Sequence, residues 1–206
     1  MAEIERPQIY LITPPAFEPD AFAPRLAAVL DAHPVACLRL SMATRDEDSV
    51  ARAADALRDI AHARDVPLVI EAHLGLVERL GLDGVHLTDG ARNVRKVRTA
   101  LGADAIVGAY CGASRHDGLN AGEAGADYVA FGPVGATGLG DGTLAERALF
   151  EWWSEVIEIP VVAEGALDEN IIASLSPVTD FFAIGEEIWG AEDAATALGR
   201  LIAAMG

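Results

Sequence analysis

Short, continuously apolar runs alternate with helix-patterned segments from one end of this chain to the other. The first run is Gln8-Ile9-Tyr10-Leu11-Ile12-Thr13, closed by Pro14-Pro15. Runs of similar, strand-like length follow at 35–40, 66–70, 84–87, 105–109, 127–131, 159–163 and 179–184. Between them, apolar residues recur at helical spacing over 20–32, 46–64, 75–80, 91–101, 114–125, 145–156, 168–175 and 191–205. The longest of these puts Val50, Ala53, Ala54, Leu57, Ile60 and Ala61 on one face. Strands that are apolar throughout, rather than at every second position, belong to a parallel sheet covered on both faces. Eight such strand–helix units in 206 residues predict a closed (β/α)8 barrel, one α/β domain over residues 1–206. An open doubly wound sheet is the competing architecture.

In such a barrel ligands bind where strands end and helices begin. The positions to search are therefore Pro14 and Pro15, Ser41, Glu71 to His73, Thr88 and Asp89, Tyr110 and Cys111, the stretch from Gly132 to Gly142, Glu164 to Leu167, and Gly185 to Glu187. The stretch after the sixth strand is rich in glycine, including Gly138 and Gly140, and carries the hydroxyl of Thr137. Glycines let backbone N–H groups approach a ligand, and such loops suit phosphate; a plain flexible loop is the alternative. Gly165-Ala166 lies between the seventh strand and a helix, where N–H groups also attract anions. Glu71, Asp89 and Glu164 are expected at the barrel mouth, either as oxygen ligands for a divalent cation or as rim charges facing water. His73 and His116 read as surface histidines, and His86, within the fourth strand, as core or lumen.

Charge narrows the partners. Fifteen basic against 32 acidic side chains leave a formal charge of −17. That field repels nucleic acid and anionic membranes. The cluster Arg92, Arg95, Lys96 and Arg98 has the spacing of a solvated helix face. No apolar run reaches the roughly 18 residues of a membrane span. The segment Met1 to Pro7 lacks the basic start and apolar core of a signal peptide, so a cytoplasmic location is expected. Cys37 and Cys111 both lie in apolar runs and read as buried free thiols.

Several blocks, in order, carry a resemblance: Arg39, Asp83-Gly84-Val85-His86-Leu87, Gly108, Gly125-Ala126-Asp127-Tyr128-Val129, Phe131-Gly132-Pro133-Val134, Thr137 and Pro160-Val161-Val162-Ala163. Over nearly the whole chain they resemble the thiamine phosphate synthase family, whose scaffold is shared by related thiazole tautomerases. The resemblance implies a cytoplasmic transferase of thiamine biosynthesis that joins a pyrimidine diphosphate to a thiazole phosphate. It further implies release of diphosphate, Mg2+ as cofactor, a small phosphorylated heterocycle as ligand, and room for a homo-oligomer. It assigns Arg39 to the diphosphate as a catalytic residue. It assigns phosphate binding to Thr137, Gly138, Gly140, Gly165, Ala166 and Gly185, and metal binding to Glu71 and Asp89.

The same comparison shows departures. The family's Gln-x-Arg-x-Lys is Cys37-Leu38-Arg39-Leu40-Ser41 here, and its Asn-Asp is Glu71-Ala72. After Val-His-Leu, its Gly-Gln-Glu-Asp becomes Thr88-Asp89-Gly90-Ala91. Its Gly-x-Ser is Gly108-Ala109-Tyr110, and the tautomerase histidine falls near Gly112 or Ala113. Its Thr-x-Thr-Lys is Thr137-Gly138-Leu139-Gly140, and its Val-Ser is Gly185-Glu186. Two phosphate-neutralising lysines are thus missing, and Glu186 stands where a phosphate-binding serine would. A like-charge contact at about 4 Å costs about 1–4 kcal/mol at effective dielectrics of 80 to 20. The alternative is therefore a non-catalytic ligand-binding or regulatory barrel that kept the fold.

Overall fold

The computed structural model describes residues 6–206. The first five positions, on which part of the leader-peptide reading and of the 1–206 domain boundary rests, lie outside the described residues. Eight strands, β1 (Gln8–Ile12), β2 (Cys37–Leu40), β3 (Leu68–Ile70), β4 (Gly84–Leu87), β5 (Ile106–Tyr110), β6 (Tyr128–Phe131), β7 (Val161–Glu164) and β8 (Phe181–Ile184), alternate with helices. The helices are α1 (Pro19–Ala32), α2 (Glu47–His62), α3 (Gly75–Leu80), α4 (Val94–Leu101), α5 (Arg115–Glu123), α6 (Arg147–Val156), α7 (Glu169–Leu175), α8 (Glu186–Trp189) and α9 (Ala194–Ala203). Every strand pairs in parallel with its sequence neighbour, and β1 pairs with β8 to close the barrel. The closed barrel holds, and the open sheet does not.

Two side-chain layers follow from strand parity, since successive residues face opposite sides. Leu11, Leu38, Leu40, Leu68, Ile70, Val85, Val107, Val129, Val161 and Phe182 face outward into the shell packed by the helices. Tyr10, Cys37, Val69, Tyr128, Ala130, Val162 and Ala183 fill the lumen. Polar side chains start several helices as capping chemistry requires. Asp46, Ser114, Asp168 and Asp193 accept from the N–H groups of Ser49, Asp117, Ile171 and Thr196, respectively.

Three aspartates act alike at the opposite, N-terminal end. The carboxylates of Asp83, Asp127 and Asp180 accept from the backbone N–H groups of Leu68, Val107 and Val161, at 2.7, 2.7 and 2.8 Å. Each lies just before an even-numbered strand and fastens the odd-numbered strand preceding it. The aspartates of the Asp83-Gly84-Val85 and Asp127-Tyr128-Val129 blocks are thus strand fasteners. Gly84 has its own reason: an added Cβ would stand 1.9 Å from the Ile106 carbonyl oxygen on β5.

Two elements escaped the sequence pattern, the single 3-10 turn Ser176–Val178 and α8. Four residues are too few to display a helical period. Tertiary contacts hold α8 instead: Trp189 Nε1 donates to the Ile12 carbonyl at 2.6 Å, and Arg25 donates to the Trp189 carbonyl at 2.8 Å. Cys37 and Cys111 are buried free thiols, as expected. Among the described residues no helix is long and apolar enough to cross a membrane.

Candidate active site at the strand C-termini

The lumen carries one connected polar network. Arg39, in β2, is 3% exposed. Its guanidinium grips the Glu164 carboxylate at the end of β7, with Nη1 3.1 Å from Oε2 and Nη2 donating to Oε1. Nη1 also donates to His86 Nε2 at 2.7 Å. Arginine has only donors, so Nε2 accepts and the ring proton sits on Nδ1. Nδ1 lies 2.9 Å from the Tyr128 hydroxyl, which in turn lies 2.6 Å from that of Tyr10. Donation therefore runs in one direction, from Arg39 through His86 and Tyr128 to Tyr10. Burial, and then the Arg39 charge, hold the His86 pKa well below the usual imidazole value, which keeps the ring neutral.

Arg39 stays charged for the opposite reason. Burial works against its charge, but the surrounding Glu164, Tyr10 and Glu71 outweigh burial and hold its pKa above the usual value. The Tyr10 ring lies beneath the guanidinium at 5.5 Å. Glu71 Oε1 approaches Arg39 Nε at 3.1 Å, but off the line of the N–H, so Nε has no hydrogen-bond partner. The other oxygen of Glu71 accepts from Ser41 Oγ at 2.9 Å, and burial pushes the Glu71 pKa up. Most of the guanidinium fork thus faces protein. This geometry favours pairing with carboxylates over the ligand role that the resemblance assigns to Arg39.

Above the network opens a cavity of about 170 Å³, with Arg39, Ser41 and Glu164 at its base. Thr137, Gly165 and Gly185 line it together with Glu186 and Glu187. Four of the residues assigned by resemblance therefore meet in one place: Arg39, Thr137, Gly165 and Gly185. The other three phosphate residues assigned by resemblance do not. Gly138 is exposed, and Gly140 lines a separate cavity with Asp89, Tyr110 and Cys111. Ala166 does not line the cavity; its backbone takes φ +54°, and its carbonyl oxygen lies 2.4 Å from where a Cβ on Gly135 would stand.

The glycine-rich stretch serves packing as well as openness. A Cβ on Gly132 would sit 2.3 Å from the Glu164 carbonyl oxygen. Val134 and Gly135 donate to the Glu164 and Gly165 carbonyls at 3.0 Å each. The loop after β6 is therefore stitched onto the loop after β7, which fixes Thr137 at the cavity rim. Tyr110 adds a strut, donating to the Gly132 carbonyl at 2.6 Å.

The like charge expected from Glu186 is carried further by its neighbour. Glu186 is exposed, while Glu187 folds back and accepts from the N–H groups of Gly185 at 2.8 Å and Leu167 at 3.1 Å. Sequence reasoning placed Glu187 among the strand-end positions to search without giving it a role, and did not see Tyr10 as part of a polar network. Strand parity counted from Arg39 would have found Tyr10, Tyr128 and His86. Its place two positions past the glycine that follows β8 was the only signal for the role of Glu187.

Glu71 and Asp89 do line one cavity, of about 520 Å³. They do not fit a resident magnesium ion. Both Glu71 oxygens are engaged, by Arg39 and Ser41, and Asp89 accepts from Asn93 Nδ2 at 2.6 Å. Among the described residues no group of three His, Cys, Asp or Glu side chains could hold a metal. Magnesium prefers near-octahedral oxygen ligation and dehydrates reluctantly, so two engaged carboxylates make a poor site. Calorimetry with millimolar magnesium and no substrate is expected to show little binding; a sub-micromolar site abolished by Asp89→Asn would contradict this.

Comparison with known proteins agrees with the fold. The family profile described as thiamine monophosphate synthase matches residues 9–185. A thiamine-phosphate synthase of Rhodospirillum centenum is 43% identical over 184 residues, covering 88% of this chain and 89% of that protein. One of Erythrobacter litoralis is 38% identical, covering 95% and 94%. Among solved structures, a thiamine phosphate pyrophosphorylase from Pyrococcus furiosus shares the fold with a TM-score of 0.83 at 22% identity, covering 96% of this chain and 95% of that one. With a matching profile over most of its length and curated relatives at this identity, the chain belongs to the thiamine monophosphate synthase family.

Proposed function

We propose that this barrel makes thiamine phosphate, transferring a pyrimidine unit from its diphosphate to a thiazole phosphate with release of diphosphate. The observation that carries this reading is the cavity where Arg39, Thr137, Gly165 and Gly185 converge, in a chain 43% identical to a synthase. On this reading the Thr137 hydroxyl and the neighbouring backbone N–H groups orient the phosphate. The apolar walls, Ile12, Leu139 and Ala183, exclude water around it. Arg39 and Glu164 hold the cavity floor in one geometry, which spares the site reorganisation as charge develops on the departing diphosphate.

The test is direct. Purified protein given both substrates in magnesium-containing buffer is expected to form thiamine phosphate, detected by mass, and to form none when either substrate is omitted. No product under any of these conditions would overturn the reading and leave the non-catalytic barrel.

A further inference from the structure

Two backbone N–H groups from different loops converge on one carboxylate at the wall of the cavity. Gly185 follows β8 directly, and Leu167 belongs to the loop after β7. Their N–H groups lie 2.8 and 3.1 Å from the two oxygens of Glu187, which takes both at once. A carboxylate with two oxygens on two converging donors is bound as an external anion would be. Glu187 lines the same cavity as Arg39, Thr137 and Gly165. It does so beside Glu164 and Glu186, against which Arg39 is the one basic side chain of that wall.

We propose that Glu187 is a specificity-determining residue: an anion built into the chain that competes with the ligand's phosphate for these donors. This rests on the reading that the cavity takes the phosphate of a phosphorylated ligand. With Glu187 folded in, an arriving phosphate meets a like charge and finds the Gly185 and Leu167 N–H groups occupied. Binding requires the side chain to swing out, so phosphate affinity is set by that displacement. The cavity then discriminates against simple anions, which cannot offset the displacement with contacts elsewhere. It favours phosphates joined to a heterocycle that also fills the apolar wall at Ile12, Leu139 and Ala183.

The experiment titrates inorganic phosphate and the thiazole phosphate, by calorimetry, into the wild-type chain, Glu187→Gln and Glu187→Ala, with melting followed in parallel. Removing one like charge at hydrogen-bonding range is expected to tighten inorganic phosphate about tenfold in both variants. The thiazole phosphate is expected to gain less, so discrimination between the two narrows. Glu187→Gln keeps the shape and one acceptor, and guards against a folding defect in the alanine variant. If both variants melt lower and bind either phosphate equally or more weakly than wild type, Glu187 is a loop staple and the proposal is wrong. If wild type binds the thiazole phosphate and the variants leave the ratio of the two affinities unchanged, the proposal alone fails. If no form binds either phosphate, the phosphate reading of the cavity fails with it.

Discussion

Arg39→Met is expected to lower the melting temperature by roughly 6–20 °C. The substitution keeps the apolar stem and removes the guanidinium, leaving Glu164 buried without its partner. Removing one member of a buried ion pair costs about 3–5 kcal/mol. In a chain of this size each kcal/mol corresponds to about 2–4 °C. His86 also loses the donor that fixes its ring, so neighbouring members of the network feel the change. Thermal melts by circular dichroism would check this. An unchanged melting temperature combined with lost affinity for the thiazole phosphate would reverse the assignment and make Arg39 a ligand residue.

Gly108→Ala is expected to cost about 2–6 kcal/mol. The new Cβ would stand 2.0 Å from Tyr128 Cζ and 2.3 Å from its hydroxyl. The ring cannot yield freely, because that hydroxyl is held between His86 and Tyr10. Overpacking of a core costs about 1–3 kcal/mol. Forcing a buried hydroxyl off its partners adds about 1–3 kcal/mol. Denaturant unfolding measures the sum. The same substitution in a Tyr128→Ala background should cost far less, because the obstruction is gone. Equal costs in the two backgrounds would show that Gly108 matters for another reason, such as strand pairing.

These two residues show how much was legible beforehand. The barrel was readable because strands covered on both faces must be apolar throughout, and several helices carry their own stripes and caps. The family blocks were readable as letters, but their physical meaning was not. Asp83 and Asp127 fasten strands, Gly84 lets β5 approach, and Gly108 makes room for a tyrosine from the next strand. None of these residues needs to touch a ligand to be required.

The candidate site was half legible. Arg39, Thr137, Gly165 and Gly185 could be placed because each ends a strand or follows one closely. Gly138, Gly140 and Ala166 could not, because a loop's path is set by what it packs against. Here the loop after β6 lies on the loop after β7 through hydrogen bonds that leave no periodic trace in the sequence. The contacts of Glu187 were hidden for a related reason. Its partner Leu167 is 20 positions away, and only closure of the barrel brings the two loops side by side.

The pairing of β1 with β8 has a consequence for how this protein is made. Tyr10 finds its place beside Ala183. At about 5–20 residues per second, translation needs roughly 9–35 seconds to deliver that partner. Throughout that interval the first strand, apolar on both faces, has an edge with nothing to pair against, and an unpaired edge recruits any extended chain nearby. The growing polypeptide therefore stays exposed to aggregation until its last strand emerges. A transcript cut short after the seventh strand would leave that hazard in place permanently, with seven strands made and the barrel still open.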